Sequence, residues 1–169
     1  MSLDGPTVLA ALAIGTGATL VMDLWNLFLK RVFGIPSLSY CLLGRWLRHM
    51  AGGRLRHASI VAAPEKAHEC AVGWIAHYTI GVVFALAFLS LASGAWLARP
   101  TVLPALLFGL VTLVFPFFIM QPALGFGIAA SRTPKPMQAR LKSCATHTVF
   151  GVGLYLCAPG LSYVLQVGP

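Results

Sequence analysis

Four long apolar stretches alternate with charged turns along this chain. One charge, Asp23, interrupts the run from Gly5 to Leu29. No charged residue lies between Glu69 and Arg99, between Arg99 and Arg132, or after Lys142. About 20 apolar residues cross the hydrocarbon core of a bilayer, so each stretch is long enough. The pattern predicts an all-α membrane protein, one domain over residues 1–169. Its four spans are placed near 7–29, 71–97, 101–121 and 143–165, with connections near 30–69 and 122–142.

Within the first span, Ala11, Gly15, Thr19 and Asp23 recur every four residues, and Asn26 and Lys30 continue that face. In the second, Gly73, His77, Gly81 and Ala85 share a face, with Trp74 and Trp96 near the two ends as expected of interfacial tryptophans. Small residues let membrane helices approach closely, so both stripes should face other helices and draw Asp23 away from lipid. In the third, Pro104, Pro116 and Pro122 interrupt a run longer than one span needs. Proline frees a backbone carbonyl and kinks a helix. Two readings of FPFFIMQPALGFGIAAS stay open: a kinked helix extended into the interface, or a functional break at membrane depth.

After the Phe33-Gly34-Ile35-Pro36-Ser37 break, Tyr40, Leu43, Trp46, Leu47 and Met50 recur at helical spacing, with Arg45, Arg48 and His49 mostly opposite. The spacing predicts a short basic amphipathic helix lying in the interface. Arg45, Arg48 and Arg56 would form its basic lip.

Composition supports the membrane assignment: 58% of the 169 residues are hydrophobic and 9% charged, with mean hydropathy +0.83. The net charge of +8 does not point to nucleic acid, because its distribution is patterned. Seven of the twelve Lys and Arg lie between Lys30 and Lys66, four between Arg132 and Lys142, and one, Arg99, in the middle turn. The positive-inside rule then places the first and third connections in the cytoplasm and both termini outside. Membrane lipids are the expected partners, their anionic headgroups meeting the basic turns. The first ten residues carry Asp4 and no Lys or Arg, so no cleaved signal is expected there. Cys41, Cys70, Cys144 and Cys157 form no C-x-x-C pair. The first three fall at or near the cytoplasmic side, where thiols stay reduced, so no disulfide is expected.

A weak internal repeat runs through the pattern. His77–Val82 and His147–Val152 both read H-x-x-x-G-V, and Met22-Asp23 is echoed by Met120-Gln121. Two hairpins of the same orientation would follow, related by an axis along the membrane normal. At a rise of about 1.5 Å per residue, Asp23, His77 and His147 lie roughly 8–12 Å inside the cytoplasmic boundary and Gln121 somewhat deeper. One polar layer of a four-helix bundle would hold all four, with Asn26 beside them. An intramembrane carboxylate is costly, is usually paired, and marks a functional candidate. Three uses stay open. Asp23 fixes bundle register. Or His77 and His147 bind a metal or haem iron, oriented by Asp23. Or the group relays a proton or holds a polar headgroup. No H-E-x-x-H, G-x-S-x-G, P-loop or dinucleotide fingerprint occurs, so nothing positive argues for an enzyme.

Taken in order, G-x-G-A-T-x-x-M-D-L-W, F-G-I-P-S, G-R-W, R-H-A-S-I, G-W-x-A-H-Y-x-I-G, P-F-F-x-M-Q-P-A-x-G-x-G-I-A-A-S-R-T-P and H-x-x-F-G-x-G-L-Y run from Gly15 to Tyr155. Together they resemble one bacterial family, domain of unknown function 2938. The resemblance implies a small bacterial inner-membrane protein and implies no activity. The expected role is a non-enzymatic membrane component with a polar Asp/His site near the cytoplasmic helix ends. Small-solute or proton transport, metal or haem binding, and an enzyme acting on lipid or prenyl substrates are the alternatives.

Overall fold

The first apolar stretch folds as one continuous helix, α1, over Gly5–Phe33. The computed structural model describes residues 5–166. Met1–Asp4, which carry the uncleaved-N-terminus reading, lie outside the described residues. The other helices are α2 (Tyr40–Met50), α3 (Glu69–Leu91), α4 (Ser93–Ala98), α5 (Val102–Val111), α6 (Gln121–Leu124) and α7 (Pro136–Gln166). A π-helical segment spans Phe115–Met120 and a 3-10 turn spans Ile128–Ala130. Among the described residues the structure is all-helical.

Three segments are long and apolar enough to cross a membrane: Gly5–Phe33, Glu69–Leu91 and Val102–Leu124. Four spans were expected. The fourth apolar stretch lies within α7, which is not one of these three.

The small-residue stripes are packing seams. Ala11, Gly15 and Thr19 are buried on α1, and Gly73, His77, Gly81 and Ala85 on α3. A Cβ on Gly15 would come within 2.6 Å of Val82 Cα, so α1 and α3 meet backbone to backbone. At Gly153, a Cβ would lie 2.7 Å from Ala18 Cα, which packs α7 on the other side of α1. Gly109 and Gly151 bring α5 and α7 together in the same way. With no hydrophobic drive between helices in lipid, such close approach supplies the association through dispersion. The apolar core between these helices includes Ile14, Ala18, Phe88, Leu89, Phe150 and Leu154.

Trp96 belongs to that core rather than to an exposed belt. It is 6% exposed, packs edge-on against Phe88 at 4.6 Å between ring centres, and donates its indole N–H to Thr101 O. Trp74 is exposed.

The proline-rich segment does not continue as an α-helix. It widens into the π-helix Phe115–Met120, resumes for one turn as α6 and stops at Gly125, where φ is +92°. A Cβ at Gly125 would press 2.2 Å from Ala58 O, because the 51–68 connection docks there. Backbone bonds from His57 N to Ala123 O (2.9 Å) and Ile60 N to Leu124 O (3.0 Å) fix that docking.

The α2 helix forms as predicted but does not simply float in the interface. It packs along the start of α3, where Gly44 and Gly73 leave no room for a Cβ. Arg45 is therefore not part of a basic lip. Its side chain is 8% exposed and clamps Glu69, with Nε 2.9 Å from Oε2 and a terminal nitrogen 2.7 Å from Oε1. It also donates to Ala63 O at 3.0 Å. The fork geometry satisfies a carboxylate bidentately, and the paired Glu69 holds the guanidinium firmly charged. Arg48 and Arg56 are exposed.

A disulfide joins Cys41 to Cys70, against the expectation of free thiols there. The reason is the glycine contact: with Gly44 on Gly73, the Cα atoms of the two cysteines lie 3.9 Å apart. Sequence spacing of 29 residues carried no hint of that approach. Cys144 and Cys157 are free.

Candidate functional site

Asp23 sits two-thirds of the way along α1, on the face that Gly15 and Thr19 bury. Its Oδ1 accepts two hydrogen bonds, from His77 Nε2 at 3.0 Å and from the Tyr40 hydroxyl at 2.9 Å. Tyr40 stands at the start of α2 and lays its ring on the His77 imidazole, 3.9 Å between centres and 21° from parallel. Burial, then the Asp23 carboxylate, keeps the Tyr40 phenol protonated far beyond the ordinary tyrosine range. Three elements thus converge on one carboxylate. The second Asp23 oxygen, Oδ2, is buried without a partner.

His147, on α7, is held differently. Its Nδ1 lies 2.7 Å from Thr112 Oγ1, and Thr112 in turn donates to Gly109 O at 2.6 Å. Asn26 reaches α7 as well, accepting from Thr146 Oγ1 at 3.4 Å. Gln121, at the junction of the π-helix and α6, is buried, and its Oε1 has no partner.

Of the sequence candidates, Asn26, His77, Gln121 and His147 line one cavity of about 780 Å³. Asp23 is bonded to His77 and is not itself a lining residue. Phe84, Phe115 and Phe150 supply aromatic walls, and Met22 and Met120 add thioethers. Lys135, which is exposed, and Lys142, which donates to Pro36 O, stand at its edge. The structure brings His77 to Asp23 by direct bonding, and His147 to Thr112 instead.

Sequence reasoning missed Tyr40, Thr112 and Thr146. Tyr40 was read as an apolar position of an amphipathic helix; its hydroxyl is 17 residues from Asp23 in sequence, beyond any helical periodicity. A signal for Thr112 did exist. Threonine three residues after a glycine in an apolar helix is a polar group needing a partner inside the membrane.

The two H-x-x-x-G-V motifs make similar glycine contacts. Each H-x-x-x-G-V motif places its glycine on a glycine of the preceding long helix: Gly81 on Gly15, Gly151 on Gly109. Each contact is followed by a threonine bonded back to that glycine's carbonyl, Thr19 to Gly15 and Thr112 to Gly109. Counting eight residues from Gly15 reaches Asp23, whereas eight from Gly109 reaches Phe117. On this register Gln121 is one turn beyond the position that matches Asp23.

His49, in the last turn of α2, and Arg54 and His57, on the 51–68 connection, form a separate polar cluster. The His49 and His57 rings meet edge to face at 4.9 Å. Neither ring nitrogen of His57 has a partner. Burial, followed by the nearby His49 and Arg54 charges, lowers the His57 pKa below the ordinary histidine value. Among the described residues no group of three or more His, Cys, Asp or Glu is placed to hold a metal.

The model of the family described as Protein of unknown function (DUF2938) matches residues 12–160, most of the chain. The chain belongs to this family. No curated protein and no solved structure matches it. Membership in the DUF2938 family therefore carries no activity with it, and function has to be argued from the cavity.

Proposed function

We propose that this DUF2938 protein is a four-span protein of the bacterial inner membrane that binds an amphiphilic small molecule in the cavity between its helices, without transforming it. The observation that carries this reading is the meeting of Asn26, His77, Gln121 and His147 on one cavity of about 780 Å³ with aromatic walls. Ligand sites are concave, mostly apolar and furnished with a few convergent polar groups, in the range of 300–1,000 Å³. A purely structural polar layer would instead close its side chains on one another. Here the buried Gln121 Oε1, on the cavity, stays unpartnered, and buried polar atoms are rarely left so.

The fourth span in this reading is the apolar part of α7 from about residue 143. The eleven-to-one division of Lys and Arg puts the Lys135 and Lys142 edge of the cavity at the cytoplasmic headgroup layer. Exposed Arg48 and Arg56 meet the same layer.

The test is to purify the full chain in mild detergent and identify bound molecules by absorption and mass spectrometry. Thr146→Phe places a ring into the cavity. We expect a co-purifying amphiphile in the wild type and its loss in the variant, which should remain helical and melt somewhat lower for want of the ligand. An empty wild-type protein, or a ligand indifferent to the ring, overturns the reading.

A further inference from the structure

We propose that the cavity selects a hydroxyl-donating amphiphile, whose prototype is an isoprenoid quinol: a flat ring bearing two O–H groups on an apolar tail. This rests on the reading of the cavity as a ligand site and adds what its occupant must present. The argument is a count of protons. A threonine hydroxyl has one hydrogen. Thr112 spends its hydrogen on Gly109 O, which only accepts. The hydrogen in the 2.7 Å contact between Thr112 Oγ1 and His147 must then come from Nδ1. The bond at one ring nitrogen fixes the state of the other, so neutral His147 carries a bare lone pair on Nε2.

The same reasoning fixes His77. Asp23 Oδ1, as a carboxylate oxygen, can only accept. Tyr40 donates its hydroxyl proton to it, and His77 donates from Nε2. Neutral His77 is then bare at Nδ1. Both imidazoles line the cavity. The buried amide oxygen of Gln121, without a partner, is a third acceptor on the same wall.

Tyr40, Thr112 and Thr146 have spent their hydroxyl hydrogens on Asp23, Gly109 O and Asn26. Away from the Lys135 and Lys142 edge, the three bare acceptors on His77, His147 and Gln121 are therefore met by an occupant that donates. An apolar molecule would leave these groups unpaired. An oxidised quinone, which only accepts, would leave these three unpaired. A quinol matches them, while Phe84, Phe115 and Phe150 suit a flat ring and an apolar tail. Diacylglycerol shares the hydroxyl but not the ring, so it separates a lipid source from a quinol source.

The experiment titrates the purified full chain with decylubiquinol and, under oxidising conditions, with decylubiquinone. The two probes differ in the ring hydroxyl hydrogens. We expect the quinol to bind at least about tenfold more tightly, since sites built around a ligand hydroxyl reject analogues lacking it. His147→Phe removes the Nε2 acceptor and keeps a flat ring. It should reduce the preference by weakening the quinol and leaving the quinone. Melting curves establish that the variant is folded; if it is not, Gln121→Leu serves, with a reduced preference expected. Equal binding of the two probes, or an unchanged preference in a folded variant, overturns the inference. A diacylglycerol that outcompetes the quinol overturns the ring and keeps the donor. A tightly held co-purifying lipid that neither donor probe displaces sinks the inference while the cavity reading stands. An empty cavity that takes no probe sinks both.

Discussion

His77 Nε2 lies 3.0 Å from Asp23 Oδ1, joining α3 to α1 through the one carboxylate within the first apolar stretch. The Tyr40 hydroxyl shares that oxygen at 2.9 Å, so a single acceptor holds α2 against both helices. Hydrogen bonds to a charged acceptor contribute about 1.5–3 kcal/mol each.

Asp23→Asn keeps an acceptor oxygen and loses the charge, so both bonds weaken without being orphaned. Asp23→Leu leaves the Tyr40 hydroxyl and the His77 N–H buried without an acceptor, at about 1–3 kcal/mol for each unsatisfied group. We expect melting in detergent to rank wild type above Asp23→Asn, and Asp23→Asn above Asp23→Leu. Equal melting of the two variants would show that the shared oxygen does not hold the three elements.

Arg45 and Glu69 make the second joint between α2 and α3. Their side chains are 8% and 11% exposed. Removing Arg45 leaves Glu69 buried and unpaired, which costs about 3–5 kcal/mol; removing the Glu69 charge leaves Arg45 with the exposed Glu65, 3.2 Å away, as its remaining carboxylate. Glu69→Gln and Arg45→Met should each melt below wild type. The double variant Arg45→Met/Glu69→Leu should recover much of the loss, because no charge is left uncompensated. A double variant as unstable as the sum of the singles contradicts this account.

The helices were legible in the sequence because lipid imposes a strict length and composition on each. The stripes through Gly15 and Gly81 were legible because close helix approach in lipid selects small residues. What could not be read is how α2 docks. Its basic face was assigned to headgroups, yet Arg45 turns inward because Glu69, at the very start of α3, sits within its reach. The sequence places Glu69 only at the edge of the first connection, near 30–69. The Cys41–Cys70 bridge and the Tyr40–Asp23 bond follow from that docking and share its obscurity. Periodicity identifies faces within one helix, and contacts between elements 17 to 29 residues apart lie outside it.

His57 supplies a pH dependence outside the spans. Its folded pKa is lowered by burial and by His49 and Arg54. Near and below pH 6.5 the unfolded chain therefore binds more protons than the folded one at this residue. Stability from this group is fully present above that pH and is lost as pH falls toward the folded value. His57→Phe removes the titration and keeps a ring beside His49. Melting temperatures at pH 7.5 and 5.5 should differ less in the variant than in wild type. An identical difference assigns the pH dependence elsewhere.

The charge pattern and the disulfide can be tested together. The proposed topology puts both termini outside and the α2–α3 junction in the cytoplasm. Alkaline phosphatase fused at the C-terminus should then be active and green fluorescent protein dark. In growing cells Cys41 and Cys70 should be trapped as alkylated thiols, and the bridge should close after mild oxidation, since cytosolic thiols are kept reduced. A bright C-terminal fluorescent fusion reverses the orientation. A bridge already closed in untreated cells argues for the same reversal.

The two sides of the α1–α3 seam respond differently to an added methyl group. At Gly81 the new Cβ would meet Thr19 Oγ1 at 2.0 Å, with the next contacts, Gly15 O and Thr19 Cβ, at 3.3 Å. At Gly15 it would meet Val82 Cα at 2.6 Å and Gly81 O at 2.9 Å, which are backbone. Gly81→Ala is therefore blocked by one side chain, and Gly15→Ala by the partner helix itself. Overpacking of this kind costs about 1–3 kcal/mol. Thr19→Ala deletes the blocking hydroxyl, which donates locally, to Gly15 O. The double variant Gly81→Ala/Thr19→Ala should melt above Gly81→Ala alone, while Thr19→Ala should bring no rescue to Gly15→Ala. Equal rescue of both glycine variants would mean that the seam relaxes by moving the helices apart, and the backbone contact at Gly15 would then not set their spacing.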